Sequence, residues 1–246
     1  MNIKFVAHRG ESQTAPENTL ESFALAWQRG AKCIEGDFHL SRDGVIVCMH
    51  DDNANRTCGV DKPLAEMTLA EIKTLDAGLH KGEEWRFTRV PTLAEVLETI
   101  PADGEIFIEL KSVGLILDKL EEVFAASKCR PEQLTFIAFD EETISTVKKR
   151  FPEHKAYWLT CNSKEDVPEF TPAEFVEKIR SLGVDGVDVL DKWVSREQVD
   201  AFHAAGLSFN VWTVDDPVRA AELIAYGVNS ITSNRIYALQ QELKEL

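Results

Sequence analysis

The chain has 246 residues, a length that suits either two small domains or one (β/α)₈ barrel, and its 42 acidic and 27 basic residues give a net charge of −15. No block of like charges concentrates this acidic excess, which predicts a well-solvated surface and argues against nucleic acid as a partner. There is no apolar run of 18 residues and no signal-peptide pattern after Met1, so we expect a cytoplasmic protein without membrane insertion.

The five cysteines are an odd number, and no two of them have the C-x-x-C spacing. This pattern is typical neither of a disulfide framework nor of a zinc cage. We therefore expect reduced cysteines that serve as packing residues.

Short runs of apolar, β-branched and aromatic residues alternate along the chain with segments of helical periodicity. Eight such runs are predicted strands: IKFVA (3–7), KCIEGDF (32–38), EIFIEL (105–110), QLTFIAF (133–139), KAYWL (155–159), DGVDVL (185–190), LSFNVWTV (207–214) and VNSIT (228–232). Eight strands separated by helices predict an α/β fold with a parallel sheet, the (β/α)₈ or TIM barrel, with residues 1–246 as a single domain.

The predicted helices share one kind of start signal, a Ser, Thr or Asn cap with Glu or Gln three residues later. The pairs are Asn18 with Glu21, Thr68 with Glu71, Thr92 with Glu95, Thr171 with Glu174, and Ser195 with Gln198. Pro172 and Pro217 stand where a first helical turn tolerates proline. These signals place helices between the predicted strands.

The alternation breaks once, after the second strand. The stretch SRDGVIVCMHDD predicts a hairpin turning at Asp43-Gly44, and residues 51–91 follow as an insertion with one short helix. An insertion in a strand-to-helix loop lies on the catalytic face of a barrel. Trp85 and Phe87 within it either line a substrate mouth or pack the insertion.

Ionisable residues fall at the ends of several predicted strands, where barrel active sites lie. Glu35 and Asp37 are two residues apart, and strand side chains alternate, so both must point to the same side. Glu109 and Lys111 repeat this spacing. Three carboxylates converging inside a barrel would be costly without compensation, and oxygen-only ligands favour one divalent cation, Mg²⁺ or Ca²⁺, over zinc. The alternative is that these residues are solvated charges at strand ends, with Glu109 and Lys111 as a simple ion pair.

His8 and His50 each follow an apolar run, and each is followed by a charged residue. Histidine exchanges protons near neutral pH, as a hydrolysis with a poor alkoxide leaving group requires. Which histidine would act as base and which as acid stays open. Arg9, a planar fork of donors, suits a phosphate. The other histidines lack such a context.

The sequence, over nearly its whole length, resembles the glycerophosphodiester phosphodiesterase family. The resemblance is carried, in order, by HRG with PENT, by E-G-D, HDD with RTCG, TLAEIKTLDAG, PTLAEVL, IELK and VWTVDD. It implies a TIM barrel with a small insertion after the second strand. It also implies an enzyme of lipid and glycerol metabolism that uses a divalent metal to hydrolyse glycerophosphodiesters, small molecules such as glycerophosphocholine, to an alcohol and glycerol 3-phosphate.

Position by position, the resemblance assigns roles to the residues that the strand-end spacing selects. The metal carboxylates match Glu35, Asp37 and Glu109, the acid/base histidines match His8 and His50, and the phosphate-binding arginine and active-site lysine match Arg9 and Lys111. Trp212 matches an aromatic residue of the pocket wall, and its alternative is a core tryptophan under the barrel rim.

The last strand departs from the family pattern. Asn234 stands where an acid is usual, and Ile236 replaces a proline, which puts a role for this loop in the pocket in doubt. Other functions remain open: a phosphodiesterase acting on lysophospholipids, in the manner of a lysophospholipase D, and a non-catalytic barrel that binds phosphodiesters. Retention of both histidines and all three carboxylates argues against the binder. The sequence does not define the oligomeric state.

Overall fold

Nine strands form one sheet in the computed structural model, which describes residues 3–111, 114, 116–161 and 170–245. The strands are β1 (Lys4–Ala7), β2 (Cys33–Leu40), β3 (Ile46–Cys48), β4 (Glu105–Leu110), β5 (Leu134–Ala138), β6 (Lys155–Thr160), β7 (Gly186–Leu190), β8 (Ser208–Trp212) and β9 (Ser230–Ser233).

Eight of these strands are parallel and close into a barrel in the order β1-β2-β4-β5-β6-β7-β8-β9. Closure comes from β1, which pairs with β2 on one side and with β9 on the other. The predicted (β/α)₈ barrel is confirmed, and each of the eight predicted runs overlaps a barrel strand. Every barrel strand therefore ends on one face, the face on which barrel enzymes carry their active sites.

The barrel strands bury residues on both sides, because helices cover the outer side and the inner side closes on itself. Inward-pointing apolar side chains form their own cluster, which consists of Val6, Cys33, Phe107, Ile137, Tyr157 and Leu159, with Trp212 packed against it. The alternate residues pack outward against the helices in a much larger cluster. A polar residue at an inward position is therefore buried among apolar side chains, which is unfavourable unless the residue finds a partner.

Helices connect the strands and begin mostly where the sequence signals place them. Within the described ranges the α-helices are α1 (Leu20–Gln28), α2 (Asn55–Cys58), α3 (Leu69–Ile72), α4 (Leu93–Glu98), α5 (Ile116–Ala126), α6 (Glu141–Arg150), α7 (Pro172–Leu182), α8 (Arg196–Ala204), α9 (Pro217–Tyr226) and α10 (Ile236–Glu242). None of them combines the length and the apolar character that crossing a membrane requires.

Four of the five predicted capping pairs are confirmed, at Thr68, Thr92, Thr171 and Ser195. The fifth, Asn18 with Glu21, is wrong. Thr19 caps α1 and exchanges hydrogen bonds with Ser22. Asn18 instead has a left-handed backbone, with φ at 57°, and its side chain points into the barrel mouth.

The hairpin predicted after the second strand is present. Strand β3 pairs antiparallel with β2, and Gly44 supplies the left-handed residue of the turn with φ at 76°. The insertion holds two short α-helices, α2 and α3, and two single-turn 3₁₀ helices, Leu64–Glu66 and Glu83–Trp85, so the prediction of one short helix was too few. Its apolar residues form a separate small cluster that includes Met49, Leu64, Ile72 and Val90. The insertion is thereby fixed beside the barrel mouth by packing of its own.

Candidate active site

A small cavity opens at the ends of the barrel strands, with a volume of about 80 Å³. Seven of the eight residues predicted for the site line it, and the eighth, Asp37, lies in the carboxylate cluster at its edge. The lining residues are His8, Arg9, Glu35, His50, Glu109, Lys111, Ile137, Phe139, Leu159, Asp188, Trp212 and Thr232. The structure therefore brings the predicted site residues together. Trp85 and Phe87 do not line this cavity, and Phe87 is exposed.

The loop after β1 holds His8 and Arg9 at the cavity. Arg9 has a left-handed backbone, and its N–H donates to the Glu35 carboxylate at 2.9 Å. Gly10 follows with φ at 81°, and a Cβ there would lie 2.4 Å from the Ser22 hydroxyl oxygen. Only glycine fits this position, because both the backbone conformation and the close approach of α1 exclude a side chain.

Glu35, Asp37 and Glu109 form a buried carboxylate cluster. Asp37 and Glu109 are paired in the register of β2 and β4, and one carboxylate oxygen from each of the three residues lies within 4.8 Å of the others. Asn18 holds Asp37 from behind, because its amide donates to the carboxylate at 2.7 Å and accepts from the Asp37 N–H at 3.1 Å. The cluster is thus oriented by the β1–α1 loop.

Burial and mutual repulsion distort the ionisation of this cluster. Burial, followed by the neighbouring carboxylates, raises the pKa of Glu35 well above its usual range and raises the pKa of Glu109 to about 8. Burial would also raise the pKa of Asp37, but Lys111 and Arg9 lower it below its usual range. The Lys111 ammonium lies 3.1 Å from an Asp37 oxygen and also contacts Glu109.

The donor set fits a hard divalent cation. In the described part of the chain, Glu35 Oε1 is buried without a hydrogen-bond partner, and Asp37 Oδ1 and Glu109 Oε1 are buried with only the Lys111 ammonium beside them. Buried acceptors without a partner are costly, and three carboxylate oxygens facing one point are ligands of the kind that Mg²⁺ and Ca²⁺ prefer. Glu35, Asp37 and Glu109 are therefore the residues that would hold the ion.

His8 is oriented by a hydrogen bond to the loop after β9. Its Nδ1 lies 2.7 Å from Asn234 Oδ1, and the Asn234 amide nitrogen in turn donates to Asp215 at 2.7 Å. The second contact fixes the amide, so Asn234 presents oxygen to His8, and Nδ1 must carry the proton. Nε2 then faces the carboxylates, 3.9 Å from Glu35 Oε2. Burial and the adjacent Arg9 lower the pKa of His8 to about 4.

His50 is oriented from the insertion side. Its Nδ1 lies 2.6 Å from Asp51 Oδ1, and Arg56 of α2 donates to Asp51 at 2.7 Å. Arg56 also donates to both carboxylate oxygens of Glu17, at 2.8 and 3.0 Å, and Glu17 accepts from Arg9 at 2.9 Å. One network of charges therefore joins the insertion to the two loops that carry the histidines.

Two aromatic rings close one side of the cavity. Trp212, at the end of β8, meets Phe139 edge to face with ring centroids 5.7 Å apart. Its indole nitrogen donates to the backbone oxygen of Asp188 at 3.2 Å. Trp212 lines the cavity and also packs on the interior cluster. It is therefore both a pocket-wall residue and a core residue, the two alternatives that the sequence left open.

Several residues of the site were missed by the sequence analysis. They are Asn18, Phe139, Asp188, Thr232 and Asn234. Asp188 carried a usable signal, since it is an acid between valines at an inward position of a barrel strand. Asn234 departs from the family pattern, and its loop nevertheless reaches the pocket, where it contacts His8.

The fold and site define a class: a barrel hydrolase with a carboxylate cluster and two histidines beside paired cations. The sequence profile of the Glycerophosphoryl diester phosphodiesterase family matches residues 8–238. A glycerophosphodiester phosphodiesterase of Caldanaerobacter subterraneus is 38% identical over 159 residues, covering 63% of this chain and 65% of that protein. One from Bacillus subtilis is 28% identical, covering 94% of this chain and 83% of that protein.

Among solved structures, a phosphodiesterase of Oleispira antarctica is similar throughout. It is 30% identical to this chain and superposes with a TM-score of 0.89. The superposition covers 98% of this chain and 96% of that one. That protein was solved in complex with its product sn-glycerol-3-phosphate. The present chain belongs to the glycerophosphoryl diester phosphodiesterase family. The predicted family and the predicted class of enzyme, a hydrolase of glycerophosphodiesters, are confirmed.

Proposed function

We propose that this chain hydrolyses glycerophosphodiesters such as glycerophosphocholine to an alcohol and sn-glycerol 3-phosphate, with one divalent cation held by Glu35, Asp37 and Glu109. The observation that carries the proposal is the cavity at which the cluster of three carboxylates meets His8 and His50. The product bound to the Oleispira relative supports the identity of the phosphate product.

His8 is the general base in this proposal. Its Nδ1 proton is engaged by Asn234, so the free lone pair on Nε2 faces the carboxylate cluster. A hydroxyl placed between Nε2 and the phosphorus gives its proton to Nε2 as its oxygen attacks. Attack by water and attack by the neighbouring glycerol hydroxyl, followed by opening of a cyclic ester, both require this transfer.

His50 is the general acid. Its Nδ1 is held by the Asp51 carboxylate, which orients the ring, and the protonated imidazole gives the proton of its other nitrogen to the departing alkoxide as the phosphorus–oxygen bond breaks. Arg9 and Lys111 line the cavity and offset negative charge on the phosphoryl oxygens in the transition state. The residues thus supply a proton acceptor, a proton donor and two cations.

A divalent cation at the carboxylate cluster would polarise a phosphoryl oxygen and help position the nucleophile. Mg²⁺ and Ca²⁺ are the two ions proposed, because all three protein ligands are oxygens. The cytoplasm remains the proposed compartment, because the five cysteines lack a spacing typical of disulfides. Breakdown of lipid-derived phosphodiesters remains the proposed metabolic setting.

The test is release of glycerol 3-phosphate from glycerophosphocholine and from a panel of other head groups, with chelator and with added Mg²⁺ or Ca²⁺. His8→Gln and His50→Gln are expected to lower turnover by about 10²–10⁴-fold each. His80→Gln, in an exposed histidine of the insertion, is the matched control and should leave turnover unchanged. Near-normal turnover in both active-site variants would refute the assignment of His8 and His50 as base and acid. A preference for lysophospholipids would show that the substrates are larger lipids and not glycerophosphodiesters such as glycerophosphocholine.

A further inference from the structure

The cavity has a second polar wall that the proposed mechanism does not use. In the described ranges, Asp188 Oδ1 on β7 and Thr232 Oγ1 on β9 are buried without a hydrogen-bond partner. Both residues line the cavity, and they are 1% and 2% exposed. Neither belongs to the carboxylate cluster.

Both side chains point inward. Val187 and Val189, on either side of Asp188, pack in the outer cluster, as does Ile231 beside Thr232. Strand side chains alternate, so Asp188 and Thr232 face the interior. In the order of the barrel strands, β7 stands opposite β2, which carries two of the three carboxylates.

Two neighbouring polar residues of the same wall, which do not line the cavity, are satisfied. Asn210 on β8 donates to the backbone oxygen of Val187 at 3.0 Å and accepts from Ser230 at 2.8 Å. A buried polar group without a partner costs about 1–3 kcal/mol. The unpaired atoms on this wall are therefore confined to the two residues that border the cavity, which indicates that a ligand supplies their partners.

We propose that Asp188 and Thr232 form a subsite for the glycerol hydroxyls of the substrate, a proposal that rests on the proposed function. A phosphoryl group at the carboxylate cluster directs one ester arm across the barrel to this wall. A cavity of about 80 Å³ has room for the constant three-carbon arm and leaves the variable head group to the open side.

The chemistry of the wall matches a pair of hydroxyls. The threonine hydroxyl can donate and accept, and the Asp188 carboxyl oxygens can accept from a hydroxyl. Ile137 and Leu159 also line the cavity and suit the carbon chain of glycerol. Recognition by hydroxyl pairing predicts strong rejection of an analogue that lacks the hydroxyls.

The experiment compares two ligands that differ only in these hydroxyls, sn-glycerol 3-phosphate and n-propyl phosphate. Their dissociation constants are measured by calorimetry on the Mg²⁺-loaded full chain. The wild-type protein should bind glycerol 3-phosphate at least tenfold more tightly. Thr232→Val and Asp188→Leu should each reduce that preference by about tenfold or more, while affinity for propyl phosphate stays within a factor of two.

Ser230→Ala is the matched control, because this buried hydroxyl on the same strand pairs with Asn210 and does not line the cavity. It should keep the wild-type preference. If Asp188→Leu fails to fold, the near-isosteric Thr232→Val decides alone. Equal affinities in the wild type, or an unchanged preference in folded variants of an enzyme that cleaves glycerophosphocholine, would overturn the subsite and leave the proposed function standing. Absence of cleavage by the wild type would overturn both.

Discussion

The Nδ1 atom of His8 lies 2.7 Å from the side-chain oxygen of Asn234, which follows it by 226 residues in the chain. Asn234 is itself held by Asp215, which accepts from both its backbone N–H and its side-chain amide. The pair sets which ring nitrogen of His8 carries a proton. In this role an amide oxygen does what a carboxylate does for many catalytic histidines, without adding a negative charge.

Asn234→Ala should therefore lower kcat about 10- to 100-fold with little change in KM, because the imidazole loses its fixed tautomer and orientation. The measurement is steady-state kinetics on glycerophosphocholine with saturating Mg²⁺. Ser12→Ala is the control, since Ser12 also contacts Asn234 Oδ1, at 3.3 Å, without touching His8. A rise in KM with an unchanged kcat would show that Asn234 does not act through His8.

Removal of the cation should be visible in stability as well as in activity. A ligand at 100 times its dissociation constant stabilises a folded protein by about 2.7 kcal/mol, so Mg²⁺ or Ca²⁺ should raise Tm and a chelator should reverse the rise. Glu109→Gln should abolish the shift. Glu105→Gln changes a carboxylate at the opposite end of the same strand, where it contacts Lys4, and should keep it. A metal-dependent Tm that survives in Glu109→Gln would place the ion elsewhere.

Arg56→Ala should impair catalysis although Arg56 does not line the cavity. The substitution releases Asp51 and Glu17, and with them the supports of His50 and Arg9, so we expect kcat/KM to fall about tenfold or more. The free energy of unfolding should change by only about 1 kcal/mol, because Arg56 is half exposed. Arg86→Ala, which removes an arginine whose ion pair among the described residues is with Glu83 of the insertion, should leave kcat/KM unaltered.

Thr19→Ala should cost about 1 kcal/mol of stability through loss of the cap of α1, which corresponds to a decrease in Tm of about 2–4 °C. Glu21→Gln is the comparison, because Glu21 takes no part in the observed cap. Thermal unfolding measures both. The opposite ranking would restore Asn18 and Glu21 as the capping pair.

The barrel and the residues around its mouth could be predicted because they depend on local spacing. Because strand side chains alternate, Glu35 and Asp37 point to the same side of their strand. Parallel strands end on one face of the barrel, so the position of the cluster follows from the order of the strands. Asn18 was misassigned because asparagine is as good a cap as threonine, and its left-handed backbone is set by contacts with β2. The division of the chain, as one domain with residues 51–91 inserted, stays a prediction, as do the roles of the site residues.

Contacts between distant segments could not be predicted, because local spacing in the sequence does not determine them. Asn234 meets His8, and Arg56 meets Glu17, only because the chain returns to the same rim, and no periodicity encodes that meeting. Thr232 looks like an ordinary strand residue in sequence. Its significance comes from an unpaired oxygen in a cavity that exists only in three dimensions.

The pairing of β1 with both β2 and β9 has a consequence for synthesis. When residues 1–200 have left the ribosome, the three cluster carboxylates and both cavity histidines are already present. The first strand, however, still lacks one of its two neighbours. Until the final strand emerges, the nascent polypeptide has an open sheet edge beside the very loop that carries His8. Activity should therefore appear abruptly once β9 has emerged, and a chaperone that shields the exposed edge should protect chains without β9 from aggregation.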